Sequence, residues 1–128
     1  MRYLGIDFGH KKIGLALSDE QGNFVYPYSV IPTIGAMEAI AQICAKEKVG
    51  EIVAGDTKDL KGEDNSVSEL AGKFLTELKE KTGLNINLQT EVFSTREAER
   101  TVGDDEMRDA RAAAIILQSY LDLKRDKK

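Results

Sequence analysis

One carboxylate, Asp7, stands where an ordinary strand has little use for it, and two others, Glu91 and Asp109, are candidates to share its task. Asp7 falls inside the apolar run Tyr3-Leu4-Gly5-Ile6-Asp7-Phe8, Glu91 lies between Thr90 and Val92, and Asp109 opens the alanine-rich stretch that ends the chain. Asp is disfavoured inside strands, and a charge taken out of water without a partner costs several kcal/mol, so an acid in such a run has a cation to meet. The cation these residue types point to is a metal ion. Hydrolysis of a phosphodiester with two Mg2+ or Mn2+ ions needs several carboxylates in a small volume, because hard cations take oxygen ligands and the ion pair clamps the attacking and leaving oxygens. Each acid also has an ordinary reading. Asp7 could cap a turn, Glu91 could face solvent on an edge, and Asp109 could be a first-turn carboxylate favoured by the helix dipole.

The elements that must position these acids follow from periodicity. Arg2 to Phe8 reads as a mostly buried strand, Lys12 to Ser18 as a second with Ile13, Leu15 and Leu17 alternating, and Phe24 to Ile31 as a third. Turns at Gly9 to Lys11 and Asp19 to Asn23 join them into an antiparallel meander, and Pro27, which cannot donate to a ladder, puts the third strand at an edge or on a bulge. Helical spacing then runs from about Gly35 to Lys48 through Met37, Ile40, Ala41, Cys44 and Val49, followed by a short buried strand from Glu51 to Gly55. A second helix from Ser66 to Lys81 carries Val67, Leu70, Ala71, Phe74, Leu75 and Leu78 on one face, with Gly83 just beyond it.

Ile86 to Phe93 is the last expected strand. Ser94-Thr95-Arg96-Glu97 forms a capping box that starts a helix fading near Gly103, and the final helix covers about Asp105 to Lys124. Within it Asp109 has Ala112, Ala113 and Ile116 as near helical neighbours, so the acid sits at the rim of the face that presses on the sheet. Small residues Ala110, Ala112, Ala113 and Ala114 let that helix approach closely. The expected class is α/β, with one mixed five-stranded sheet and helices on both faces. Two strands and one helix would then bring Asp7, Glu91 and Asp109 to one sheet edge.

The chain has 128 residues, which is one domain's worth, so residues 1–128 are read as a single domain. With 41% hydrophobic and 31% charged residues the composition is that of a soluble globular protein. No apolar run approaches the roughly 18 residues of a membrane span, and the N-terminus reads as a strand rather than a signal peptide, which points to the cytoplasm. The only cysteine, Cys44, excludes an intramolecular disulfide and argues for a buried structural thiol. A formal charge of -4 weighs against a broad basic surface for nucleic acid, yet His10, Lys11 and Lys12 cluster beside Asp7, Lys58 and Lys61 share a loop, and Lys124, Arg125, Lys127 and Lys128 form a basic tail. Lys11, Lys12, Lys58, Lys61 and Arg96 are the candidate phosphate contacts, and the ordinary reading of each is solvated surface charge. His10, in a Lys-flanked turn, is a surface residue or a phosphate contact rather than a catalyst.

Three separated motifs occur in a recognisable order. They are Gly5-Ile6-Asp7-Phe8-Gly9 with Lys11-Lys12-Ile13-Gly14-Leu15-Ala16-Leu17-Ser18-Asp19, then Glu91 with Ser94, Thr95 and Ala98, then Asp109-Ala110 with Ala112-Ala113 and Ile116-Leu117-Gln118-Ser119-Tyr120-Leu121. Together they resemble the YqgF/RuvX family over nearly the whole chain. That resemblance implies an RNase H-like fold related to Holliday junction resolvases. It further implies Asp7, Glu91 and Asp109 as metal-binding acids for Mg2+ or Mn2+, and a nuclease that matures the 5′ end of pre-16S ribosomal RNA. Its partners would be pre-rRNA or branched DNA, with ribosomal association, and its state a monomer or a homodimer.

Two departures bear on substrate contacts. Thr90-Glu91-Val92 replaces the family's Asp-Glu-Arg, and Gly55-Asp56-Thr57-Lys58-Asp59-Leu60-Lys61-Gly62 replaces its usual loop, where Asp56 is an extra carboxylate or a turn former. Two alternatives stay open. The opening motif also resembles the phosphate hairpin of actin-like ATPases and sugar kinases, although those clamp nucleotide between two lobes, and the departures fit a nucleic-acid-binding module without catalysis.

Overall fold

Leu4, Ile6 and Phe8 alternate with Tyr3, Gly5 and Asp7 along the first strand, and that alternation divides the fold into two packed layers on either side of one sheet. The computed structural model describes residues 1–56, 66–90 and 107–126. Its strands are β1 (Arg2–Phe8), β2 (Lys12–Ser18), β3 (Val25–Pro32), β4 (Val49–Asp56) and β5 (Asn85–Thr90), and its helices are α1 (Ala36–Lys46), α2 (Ser66–Thr82) and α3 (Arg108–Asp126). The strands lie in the order β3-β2-β1-β4-β5. β1 is antiparallel to β2 and β2 to β3, whereas β1, β4 and β5 run parallel, so the sheet is the expected mixed five-stranded one.

On one face Leu4, Ile6, Ile13, Leu15, Leu17 and Ile52 form the main core with Ile40 and Cys44 of α1 and Ala71 and Leu78 of α2. On the other, Tyr3 and Val53 pack against Ile116, Leu117 and Leu121 of α3. The inner parallel strands β1 and β4 are largely buried on both faces, as a sheet covered by helices on each side requires, whereas the edge strand β5 is partly exposed. Burial pushes the Cys44 thiol up to about 11, which fits an inert structural residue.

Several boundaries differ from the periodicity reading. Val49 does not continue the α1 stripe: Lys48 takes φ 56, turning the chain out of the helix, and Val49 opens β4 as a buried strand residue. Leu70 is 44% exposed, so the apolar stripe of α2 is narrower than expected and is carried by Ala71, Phe74, Leu75 and Leu78. Pro27 fits both of its expected explanations. β3 is an edge strand, and its register shifts where Leu15 faces Ser29 but Ala16 faces Pro27, which leaves Tyr28 as the extra residue of a bulge. The Tyr28 hydroxyl donates to Glu47, which also pairs with Arg2 at 2.8 Å, tying the edge to the end of α1. Glu91, the capping box Ser94 to Glu97 with its helix, Lys58, Lys61, Arg96, Lys127 and Lys128 lie outside the described residues.

Candidate active site

Two glycines let α3 lie directly on the sheet, and their positions decide which residues meet. A Cβ on Gly5 would come within 2.8 Å of the Ala113 carbonyl oxygen, and one on Gly14 within 1.9 Å of the Asp109 carbonyl oxygen. Gly5 therefore faces α3, and by strand alternation Asp7, two residues on, projects from the same face. Asp7 is also the partner of Gly14 across the β1–β2 ladder. The residue beside Asp7 is thus the one on which the Asp109 backbone rests. Asp7 comes from a central strand and Asp109 from the first turn of α3, and both are half-buried at one end of the sheet.

The turn between β1 and β2 closes this site from the other side. A Cβ on Gly9 would stand 2.5 Å from the Lys12 carbonyl oxygen, so the close approach of the two strand ends requires glycine there. Thr33 fastens the turn to the end of β3, its hydroxyl donating to the Gly9 carbonyl and its N–H to the Lys11 carbonyl, both at 2.9 Å. The turn is held by the sheet rather than hanging free, so His10, Lys11 and Lys12 are presented from a fixed platform.

Asp7, Gly9, His10, Lys11, Lys12, Arg108 and Asp109 line one cleft of about 340 Å³. Three permanent cations against two carboxylates leave this lining cationic, although the whole chain is acidic. A polyanion would be drawn to the cleft and a divalent ion to its two acids. The donor set suits a hard cation, since both described acids offer carboxylate oxygens. Among the described residues no set of three metal-ligating side chains is complete. Glu91, the expected third acid, and Lys58, Lys61 and Arg96 lie outside the described residues, so the cleft is built here from Asp7, Asp109, Lys11 and Lys12 of the expected set.

Arg108 is the lining residue that sequence reading passed over. Its signal was its place immediately before Asp109 in the first turn of α3, which puts a guanidinium beside whatever Asp109 holds. Asp19, part of the opening motif, has a structural task instead. Its carboxylate accepts from the N–H groups of Phe24 and Asn23, and the bond from Phe24 is the largest influence holding its pKa below the usual value.

The sequence profile of one family, described as "RuvX: Holliday junction resolvase", matches residues 1–123. The chain belongs to the RuvX family. Relatives agree with that membership. A Maridesulfovibrio salexigens protein named "Putative pre-16S rRNA nuclease" is 37% identical over 132 residues, covering 94% of this chain and 98% of its own. A Clostridioides difficile protein of the same name is 35% identical, covering 96% of this chain and 95% of its own. Among solved structures, Thermus thermophilus RuvC in complex with Holliday junction substrate is similar with a TM-score of 0.66 at 14% identity, over 98% of this chain and 96% of that one. The fowlpox virus resolvase, solved with Holliday junction DNA, gives 0.62 at 11% identity over 97% and 99% of the two chains. At such identities the likeness is one of fold, and the fold of this RuvX-family chain is RNase H-like α/β. Membership makes the RuvX-family chain a nuclease, a hydrolase of phosphodiester bonds, with nucleic acid as its partner. Among the described residues no helix is long and apolar enough to cross a membrane.

Proposed function

We propose that this chain is a metal-dependent endonuclease that matures the 5′ end of pre-16S rRNA. The observation that carries this reading is the convergence of Asp7 and Asp109, from a strand and a helix, in a cleft whose other charged lining is cationic. The name shared by relatives at 35–37% identity supports rRNA as the substrate. Asp7, Asp109 and Glu91 would hold Mg2+ or Mn2+, which when bound supplies an activated water and stabilises the leaving oxygen. Lys11 and Lys12 hold the phosphate chain from the fixed turn, with Lys58, Lys61 and Arg96 as further contacts. Arg108 sits beside Asp109 with a planar fork that matches phosphate oxygens in pairs. The protein works as a single cytoplasmic domain in association with the ribosome, and trimming a leader needs only a monomer.

The test is cleavage of a pre-16S 5′ leader RNA with Mg2+ or Mn2+, beside a four-way DNA junction. A cut at one position that chelator abolishes is the expected result. Preferential junction cleavage would replace rRNA with branched DNA, the reading that the family's description favours. Silence on both substrates, with binding retained, would leave a binding module.

Arg108 gives a second check. Arg108→Ala is expected to lower kcat/KM by about 10- to 100-fold through loss of a charge-assisted phosphate contact. Arg108→Lys restores only part of that, because the charge returns without the fork. If the alanine variant cleaves within about twofold of wild type, Arg108 is surface charge and not a phosphate ligand.

A further inference from the structure

Lys11 and Lys12 line two clefts. The second, about 400 Å³, is completed by Val30, Ile31 and Pro32 at the end of β3. The ladder shows how the two relate. Asp7 pairs with Gly14 and Gly14 with Val30, so these three form one row across the sheet, and Lys12 pairs with Pro32 in the row nearer the turn. The Asp109 backbone lies over Gly14, between Asp7 on one side and Val30 on the other. The two lysines therefore form a ridge shared by the acidic cleft and an apolar one.

We propose that the β3 cleft receives the base of an unpaired nucleotide flanking the scissile phosphate, while Lys11 and Lys12 hold the phosphate between the two clefts. This rests on the nuclease reading and goes past it to the substrate's form. A polyanionic strand whose scissile group lies at Asp7 and Asp109 has a cationic ridge as its continuation, and beyond the ridge an apolar wall. Charge complementarity and continuity with the acidic cleft both point to the same occupant. Val30 and Pro32, two residues apart on β3, share the sheet face of their ladder partners Gly14 and Lys12, while Ile31 packs into the main core on the other face. The side chains of Val30 and Pro32 carry no hydrogen-bonding group, so they meet a base through its face. A base inside a duplex has its faces covered by its neighbours, so the nucleotide seated here must be unpaired. Recognition of this kind tolerates any base, because every base has an apolar face.

The test uses a labelled single-stranded leader RNA of about 12 nucleotides spanning the cut, a length on the scale of single-strand binding sites. An abasic residue is walked along it and affinity is read by fluorescence anisotropy with chelator present. In wild type, one position beside the cut should lose about fivefold in affinity, the equivalent of burying roughly 40 Å² of apolar surface. Pairing that nucleotide with a complementary strand should cost at least as much. Pro32 is exposed at the end of β3, and Pro32→Glu should weaken the intact RNA by about fivefold and erase the position dependence. Ile34→Glu adds the same charge at a residue that is 94% exposed and outside the cleft, and should leave both measurements within about twofold.

A flat abasic walk, or a walk unchanged in folded Pro32→Glu, overturns the proposal. The two readings fail separately. RNA that is cut while the walk is flat sinks the subsite and spares the nuclease. RNA that stays intact while one position is penalised, and loses its penalty in Pro32→Glu, sinks the nuclease and spares the subsite.

Discussion

Asp7→Asn is expected to lose at least about 10³-fold in cleavage while melting no more than slightly below wild type, a loss of about 4 kcal/mol in transition-state stabilisation. Asn keeps the size and shape of the side chain and removes its charge, so the substitution isolates what the negative charge contributes. For metal binding that charge is essential, because hard cations prefer anionic oxygen and an amide oxygen is a far weaker ligand. For folding it is nearly dispensable. Asp7 and Asp109 are brought to the same cleft, and removing one relieves repulsion between like charges. Lys11, Lys12 and Arg108 lose a neighbouring anion at the same time, but partly exposed ion pairs are worth only about 0 to 1 kcal/mol. The two changes offset, and stability should stay within about 1 kcal/mol of wild type. Cleavage rates and thermal melts on the same preparations check both halves. Activity within about tenfold of wild type would remove Asp7 from the metal site, since a ligand's loss is larger. A melt lowered by several kcal/mol would make Asp7 a structural residue, with a buried partner that matters more than a metal.

The sheet was legible because each of its strands announces itself through alternation or a continuous apolar run, and β1 and β2 do both. The mixed character of the sheet followed from short turns in the meander and from the βα spacing after it, whereas the strand order β3-β2-β1-β4-β5 came only with the structure. The end of α1 was not legible. Nothing about Lys48 marks it as a residue that will adopt a positive φ, and the apolar Val49 fell by chance on the helical stripe it does not belong to. Leu70 misled for the opposite reason, since helical spacing reports a face but not how wide a strip of it the sheet covers.

In the site, Asp7 stood out because an acid inside an apolar strand conflicts with its surroundings, the kind of local conflict that functional positions show. Asp109 was placed on the correct rim by its alanines. Arg108 was passed over because a basic residue at the start of a helix carries no periodic signal and works against the dipole, so only the cleft reveals its place. The total charge of -4 pointed away from nucleic acid because a sum over the chain hides a cationic lining of seven residues. What no spacing rule conveys is the role of Gly14. Its use appears only when β2 and α3, far apart in sequence, are seen in contact.

That contact makes Gly14→Ala the most severe single-methyl change in the described structure. A Cβ there would stand 1.9 Å from the Asp109 carbonyl oxygen, 2.2 Å from its carbon and 2.8 Å from the Ala110 nitrogen. All three are backbone atoms, so no rotamer change makes room. β2 cannot yield either, because it is hydrogen-bonded to β1 on one side and β3 on the other. The start of α3 must lift, and with it Asp109. Overpacking of this kind costs about 3 kcal/mol, which for a chain of this length lowers the melting temperature by roughly 10 °C. Activity should fall further than stability explains, by about 10²-fold at a temperature where the variant is folded, because a displacement of about 1 Å at a reacting centre is enough for that. Gly5→Ala meets α3 one turn further from the acids and less tightly, at 2.8 Å from the Ala113 oxygen and 2.9 Å from the Leu117 Cβ. It should therefore destabilise the fold while retaining more activity. Gly72→Ala, on α2 with nothing within 4 Å of the new methyl, should raise stability by about 1 kcal/mol as a plain helix-propensity gain. Melting curves and cleavage rates for the three variants separate packing from positioning. A Gly14→Ala protein that melts and cleaves like wild type would mean that α3 does not rest on β2 at Asp109, and that the two acids are not held together by this contact.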